Sequence, residues 1–350
     1  MPTPTIPAGN LFMNATRYTG NGSTQSITNG VAGQSFQPDF AWSKNISNSR
    51  SHALVNSVVG ATSQLQTNTT AVQFTGGFAS LDSNGFSVNN NYNENNISET
   101  YVAWQWKGGG TATTIAVGSV SSGVPSVASS VSANTTSGFS VATFTIPASG
   151  AFTIGHGLGA IPSFVVFKTR SGTTSNWITQ HTSTGTQYML LNSTALATTD
   201  STIWNSAPTA SVVSFGTAFA SSYPSTPALI YCWTPIAGYS AMGSYTGNGA
   251  VDGPFIYLGF RPRFILTKCS SNSTASTVWT IFDTARSPYN AAVLELYPND
   301  IISQQTDTNG MDILSNGFKP KRNSDYLNSS GWTYTYMAFA ENPFKYANAR

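Results

Sequence analysis

Pro162-Ser163-Phe164-Val165-Val166-Phe167-Lys168 is a short apolar run bounded by turn residues, and the chain writes its pattern three times. The other copies are Pro38-Asp39-Phe40-Ala41-Trp42-Ser43-Lys44 and Pro262-Arg263-Phe264-Ile265-Leu266-Thr267-Lys268. Aromatic and β-branched runs of this length read as strands. The leading proline suits a first strand residue, where the missing N–H costs no ladder bond. Further repeats surround this one. Tyr18-Thr19-Gly20-Asn21-Gly22 returns unchanged as Tyr245-Thr246-Gly247-Asn248-Gly249, and Ser83-Asn84-Gly85-Phe86 returns as Ser315-Asn316-Gly317-Phe318. Sixteen or seventeen residues after each of the latter glycines comes an aromatic strand, Tyr101 to Trp106 and Tyr334 to Phe339. The middle copy has diverged: it opens at Phe144 to Gly150, closes at Leu229 to Trp233, and lacks both glycine motifs.

Order and spacing predict three repeats, at 12–107, 138–240 and 241–350. Asn-Gly at 21–22, 84–85, 248–249 and 316–317 supplies positive φ for tight hairpins. Gly20, Asn21, Gly22, Asn84, Gly85, Asn248, Gly249, Asn316 and Gly317 are therefore read as structural turn residues. Only Asn290 to Leu296 has a pattern suited to a short helix. Many short strands with frequent turn signals predict an all-β chain of three antiparallel, jelly-roll-like β-sandwich modules in tandem. Residues 1–11, with Pro2, Pro4 and Pro7, read as an extended arm of polyproline type. Residues 108–137, rich in Gly, Ser and Thr, read as a linker. Val117, Val120, Val124, Val127 and Val131 are spaced so that this linker could instead lie as a strand on a neighbour.

Composition narrows the function. Only 8% of residues are charged, against about 25% in ordinary soluble proteins, while 121 of the 350 are Ser, Thr or Asn. Such a surface is built from hydroxyls and amides. A net charge of +2 is too small for electrostatic nucleic-acid binding. No stretch approaches the 18 apolar residues of a membrane span, and Met1 to Pro7 lacks the features of a signal peptide. Cys232 and Cys269 lie in apolar strand-like runs and are expected as buried free thiols. Asn14, Asn45, Asn68 and Asn134 head sequons that read as surface loops.

The repeated elements resemble a domain family of tailed-bacteriophage virion proteins, of the tail-fibre or minor structural kind. The carriers are Tyr-Thr-Gly-Asn-Gly, Pro-x-Phe-x-x-x-Lys, Ser-Asn-Gly-Phe, and above all the ending Met337-Ala338-Phe339-Ala340-Glu341-Asn342-Pro343-Phe344-Lys345-Tyr346-Ala347. Gly155-His156-Gly157-Leu158-Gly159-Ala160-Ile161-Pro162 is similar to a turn of phage fibre domains. The likeness covers 12–350. It implies a structural or host-contact role on a virion and no catalytic residues.

Candidate chemistry is sparse. Gly155-x-Gly157-x-Gly159 follows a strand as a phosphate loop would, but leads into Ile161-Pro162 and another strand, so it reads as a glycine turn. His52, His156 and His181 show no metal-ligand spacing. Asp82, Asp283, Asp300, Asp307 and Asp312 are the carboxylates available to a glycosidase. Those preceding Asn-Gly turns are expected to accept backbone N–H groups. Lys319, Lys321 and Arg322 read as a solvated loop. The eight tryptophans belong to the core, except Trp204 and Trp332, which stand beside polar loop residues and are expected to be exposed ligand-binding aromatics. The sequence thus predicts a non-enzymatic virion component without cofactor or metal, made in the host cytoplasm without a signal peptide. A tail or tail-fibre role is favoured, with a capsid-decorating protein or a lectin-like module as alternatives. Its expected partners are other virion proteins, copies of itself in a homotrimer, and a host-surface glycan, with no nucleic acid and no membrane insertion.

Overall fold

The computed structural model describes residues 9–30, 34–119, 124–272 and 277–341. The chain is all-β, in antiparallel sheets of sandwich type. Each module is built on the same four strands, hydrogen-bonded side by side in one order. An opening strand (Met13–Thr19, Phe139–Thr145 and Ser240–Thr246) pairs with a closing strand (Thr100–Trp106, Pro227–Trp233 and Thr333–Ala340). The closing strand also pairs with a lysine strand (Phe40–Asn45, Phe164–Thr169 and Pro262–Ser271). The lysine strand pairs in turn with a flanking strand (Ala53–Asn56, Ile178–His181 and Trp279–Asp283). A smaller second sheet covers the outer side. It comprises Gln25–Thr28, Gly85–Val88 and Phe78–Asp82 in module 1, and Phe152–Gly155 with Val212–Phe215 in module 2. In module 3 it comprises Ile256–Tyr257, Gly317–Pro320, Gln305–Leu314 and Ala292–Glu295.

Period-two alternation along the lysine strands serves two cores at once. Ala41, Val165 and Ile265 point outward into the separate sandwich core of each module. Phe40 and Trp42, Phe164 and Val166, and Phe264 and Leu266 point inward to a single core shared by all three modules. Closing-strand residues Trp104, Trp106, Tyr231, Trp233, Met337 and Phe339 join them there. Ring contacts cross every module boundary: Phe40 on Tyr231 at 4.4 Å, Phe164 on Trp279 at 6.3 Å, and Trp106 on Phe264 at 5.5 Å. The three main sheets therefore face one another around a pseudo-threefold axis, and the modules form one closed body instead of beads in a row.

Several expectations change. The stretch read as a linker is folded: Thr113–Ile115 and Ser129–Asn134 add two strands to the main sheet of module 2, beside its opening strand. Val131 and Ser132 are buried there, while Val117 and Val124 are exposed and Val120 lies outside the described residues. Of the arm, 9–11 forms a 3-10 turn and 1–8 lies outside the described residues, as does the end of the motif from 342 onward. The stretch expected to be helical contains the strand Ala292–Glu295, paired to Gln305–Leu314, and the α-helix among the described residues is instead Thr217–Ser222. Asn84-Gly85 and Asn316-Gly317 do close hairpins. Asn21-Gly22 and Asn248-Gly249 instead carry the chain from the main sheet to the second sheet.

Candidate functional site

The residue that the repeat marks most plainly, the lysine, is buried in all three copies. Each amine reaches a backbone carbonyl of a loop from the neighbouring module. Lys168 Nζ donates to Thr70 O (2.7 Å), Lys268 Nζ to Thr194 O (2.8 Å), and Lys44 Nζ to Ile301 O (3.2 Å). Three residues further along each loop, an amide donates to the carbonyl two residues beyond the lysine: Gln73 to Arg170, Ala197 to Ser270 and Gln304 to Ile46. Four residues before the lysine's acceptor, a carbonyl takes a ring N–H from just ahead of, or at the start of, the flanking strand. Trp177 Nε1 donates to Gln66 O (2.8 Å), Trp279 Nε1 to Leu190 O (2.9 Å) and His52 Nε2 to Tyr297 O (3.0 Å). His52 Nδ1 accepts from Trp42 Nε1, so its proton sits on Nε2.

The loop itself is held by an asparagine. Asn68, Asn192 and Asn299 each accept the backbone N–H of the ring residue in their own module. A second ring lies at the foot of the flanking strands. Asn56 donates to Tyr231 Oη (3.1 Å), His181 Nε2 to Tyr336 O (3.1 Å), and Asp283 Oδ2 accepts from Trp104 Nε1 (3.1 Å). Module 1 thus grips 2, 2 grips 3, and 3 grips 1, each from the same position on its flanking strand.

Burial shifts the groups of this ring. It pulls the amines of Lys44 and Lys168 down to about 7 and that of Lys268 to about 8. A neutral amine has two N–H donors, which match the two carbonyls around Lys168, Thr70 O and Ser175 O. Desolvation likewise holds His156 and His181 down at about 4 and His52 well below the usual histidine range, so all three are neutral.

The glycine motifs sit at turns by two mechanisms, and the positive φ expected at all four Asn-Gly pairs is absent at Gly317. Gly22 and Gly249 have φ near +67° and +69°, a region costly to other residues. At Gly85 and Gly317 a Cβ would press on the carbonyls of Ile27 and Ile256. Asn95 Oδ1 accepts from Asn21 N (3.0 Å), and Asn328 Oδ1 from Asn248 N (2.9 Å). Gly20 and Gly247 pack against the carbonyls of Asn96 and Ser329.

The aromatic candidates fall differently. Trp204 is 1% exposed and lies against Phe215 and Phe219, its Nε1 donating to Thr179 O; the expectation of an exposed platform there is wrong. The polar loop residues around it do not predict its direction, because the ring turns inward to a core that its own module needs. Trp332 is half-buried against the core of module 3. Cys232 and Cys269 are buried free thiols, as expected. Asn45 is buried in its strand, not a surface loop.

The five candidate aspartates all have partners. Asp283 forms a fully buried pair with Arg286 (2.6 Å). Asp82 accepts from the hydroxyls of Ser80 and Ser87, not from backbone amides. Burial raises Glu295 to about 7, while neighbouring Asp307 is held low by Arg322. Asp307 raises Glu295 further, so the two carboxyl groups interact. Lys319 and Lys321 both pair with Asp252 (2.7 and 2.9 Å).

Two surface features remain. A polar cleft of about 470 Å³ lies where module 3 closes on module 1, lined among others by Asn14, Arg17, Asn29 and Arg263. Arg263 bridges it, donating to Ala15 O at 2.6 Å. The other feature escaped sequence reasoning: on the outer face of module 3, Phe255 and Tyr257 are 47% and 56% exposed, with ring centroids 6.5 Å apart at 66°. An alternating Phe-Ile-Tyr run says that two of its rings share a face, but not whether that face meets solvent.

These contacts define a closed body of three β-sandwich modules. The chain belongs to the DUF7483 family, a domain of unknown function, whose model matches residues 8–343. The match takes in all three modules, so the unit the family describes is the whole closed body. No curated protein and no solved structure matches the chain.

Proposed function

We propose that the chain is a non-enzymatic structural component of a tailed-phage virion, a tail or tail-fibre protein that meets the host surface. The observation that carries this reading is the latch ring. The repeated lysines and the inward-facing aromatics of their strands hold the modules to one another, and the three histidines are neutral and hydrogen-bonded to backbone carbonyls. A rigid, charge-poor body of this kind suits an assembled particle, where charged side chains are depleted at buried contacts. The threefold arrangement that a fibre obtains from three subunits is supplied here by three modules of one chain. We therefore expect a monomer in place of the homotrimer that the sequence suggested.

The test is the composition of the particle. Virions purified from lysates of the producing host should contain the protein in fixed stoichiometry, with immunogold label on the tail. Label on the capsid would assign the decorating role instead. Absence from washed particles would refute the virion reading.

A further inference from the structure

The outer sheets of modules 1 and 3 share a backbone but not a surface. In module 1, Ser26-Ile27-Thr28 runs beside Gly85-Phe86-Ser87, with Ile27 opposite Phe86 and Thr28 opposite Gly85. In module 3, Phe255-Ile256-Tyr257 runs beside Gly317-Phe318-Lys319, with Ile256 opposite Phe318 and Tyr257 opposite Gly317. The isoleucine and phenylalanine face the core in both. The solvent-facing positions hold serine and threonine in one module and two aromatic rings in the other. Ser26 and Thr28 show that the fold does not need rings there, and leaving two in water is unfavourable unless something covers them.

We propose that Phe255 and Tyr257 form a stacking corner for one neutral hexopyranose ring of a surface glycan, an inference that deepens the host-contact reading above. Three features fit this occupant. The floor is smooth, because the Phe255 ring lies over Gly317, its Cε2 3.0 Å from where a Cβ would stand. The rings meet at 66°, so they offer one flat face and one wall, the shape of a corner for a single sugar and not a bench for an extended chain. The rim carries charge in balanced pairs: Lys319 and Lys321 on Asp252, with Lys321 also 3.8 Å from Asp312. Two cations facing two carboxylates leave no excess to attract an anionic sugar, while supplying donors and acceptors for hydroxyl groups. The aliphatic C–H face of a pyranose then packs on an aromatic face, as apolar groups do.

The experiment is saturation-transfer NMR on the full chain with methyl glucoside, methyl galactoside, methyl mannoside and, as the anionic probe, methyl glucuronide. The comparison protein is the double variant F255S/Y257T, which installs the residues module 1 carries at these positions and should keep the wild-type unfolding curve. At least one neutral glycoside should bind the wild type, and removing two ring contacts should weaken it about tenfold. No transfer to any neutral glycoside, equal binding by the double variant, or a preference for the glucuronide would each overturn the proposal. So would a double variant that binds sugar normally but no longer enters particles, since the patch would then be covered by another virion protein. Whether the protein is present in wild-type particles is read separately, so failure of the sugar site leaves the virion reading standing.

Discussion

Replacing Lys168 by Met keeps the length and apolar stem of the side chain but removes the amine from Thr70 O and Ser175 O. A buried carbonyl left without a donor costs about 1–3 kcal/mol. Thr70 is an exposed residue, so water recovers part of its share, and the lost bonds amount to about 2–4 kcal/mol. Against this stands the proton. The amine titrates at about 7 in the folded chain, well below its ordinary value near 10.5. Because the folded value is depressed, the favourable contribution is complete above the unfolded value and is lost as pH falls toward 7. Folding wild type at pH 7.5 therefore releases a proton from Lys168 at a cost of roughly 4 kcal/mol, and at pH 9.5 of roughly 1 kcal/mol.

The variant has no such proton to lose. It should be about 1–3 kcal/mol less stable than wild type at pH 9.5 and equal or up to about 2 kcal/mol more stable at pH 7.5. Urea unfolding followed by tryptophan fluorescence at the two pH values gives the difference. A penalty that is the same at both would show that Lys168 stays charged in the folded protein and refute the reasoning. No penalty at pH 9.5 would show that the latch bonds contribute nothing.

Other positions test other parts of the structure. Gly247→Ala drives a Cβ onto Ser329 O and should cost about 2 kcal/mol or more by thermal unfolding, whereas Gly331→Ala has open space around it and should cost about 1–2 kcal/mol for its positive φ alone. Asp283→Ala strands the Arg286 guanidinium, which is fully buried, and should lose about 3–5 kcal/mol; a loss under about 1 kcal/mol would mean water reaches the pair. Burial pushes the Cys232 and Cys269 thiols up, so neither should react with a water-soluble thiol reagent until denaturant unfolds the chain. Rapid labelling of the native protein would contradict the burial of both.

What the sequence displays depends on which interactions need particular residue types. The modules are legible because proline, paired aromatics and Asn-Gly recur at strand starts and turns, where local sterics narrow the choice. Closure of the ring is not, since most of its contacts are made by backbone carbonyls and amides that any residue supplies. Even the second ring uses Asn56, His181 and Asp283, three unlike side chains at one structural position. The loop asparagines do recur, 24 residues after Lys44 and Lys168 and 31 after Lys268, a signal hidden in a chain crowded with asparagine. The apparent linker hides its strands for a related reason: Ser129–Asn134, paired on both sides within its sheet, is built from Ser, Val, Ala and Asn, the composition of a flexible tether. Trp204 turns inward while Phe255 and Tyr257 turn outward, because flanking polarity does not tell which way a ring points.

The account rests on three modules closed into one body, and small-angle X-ray scattering with light scattering tests that most directly. A monomer of 37.0 kDa with a radius of gyration of about 20 Å is predicted, the value for one compact domain of this length. A monomer near 28 Å or above, as three separate modules in a row would give, would contradict the closed ring.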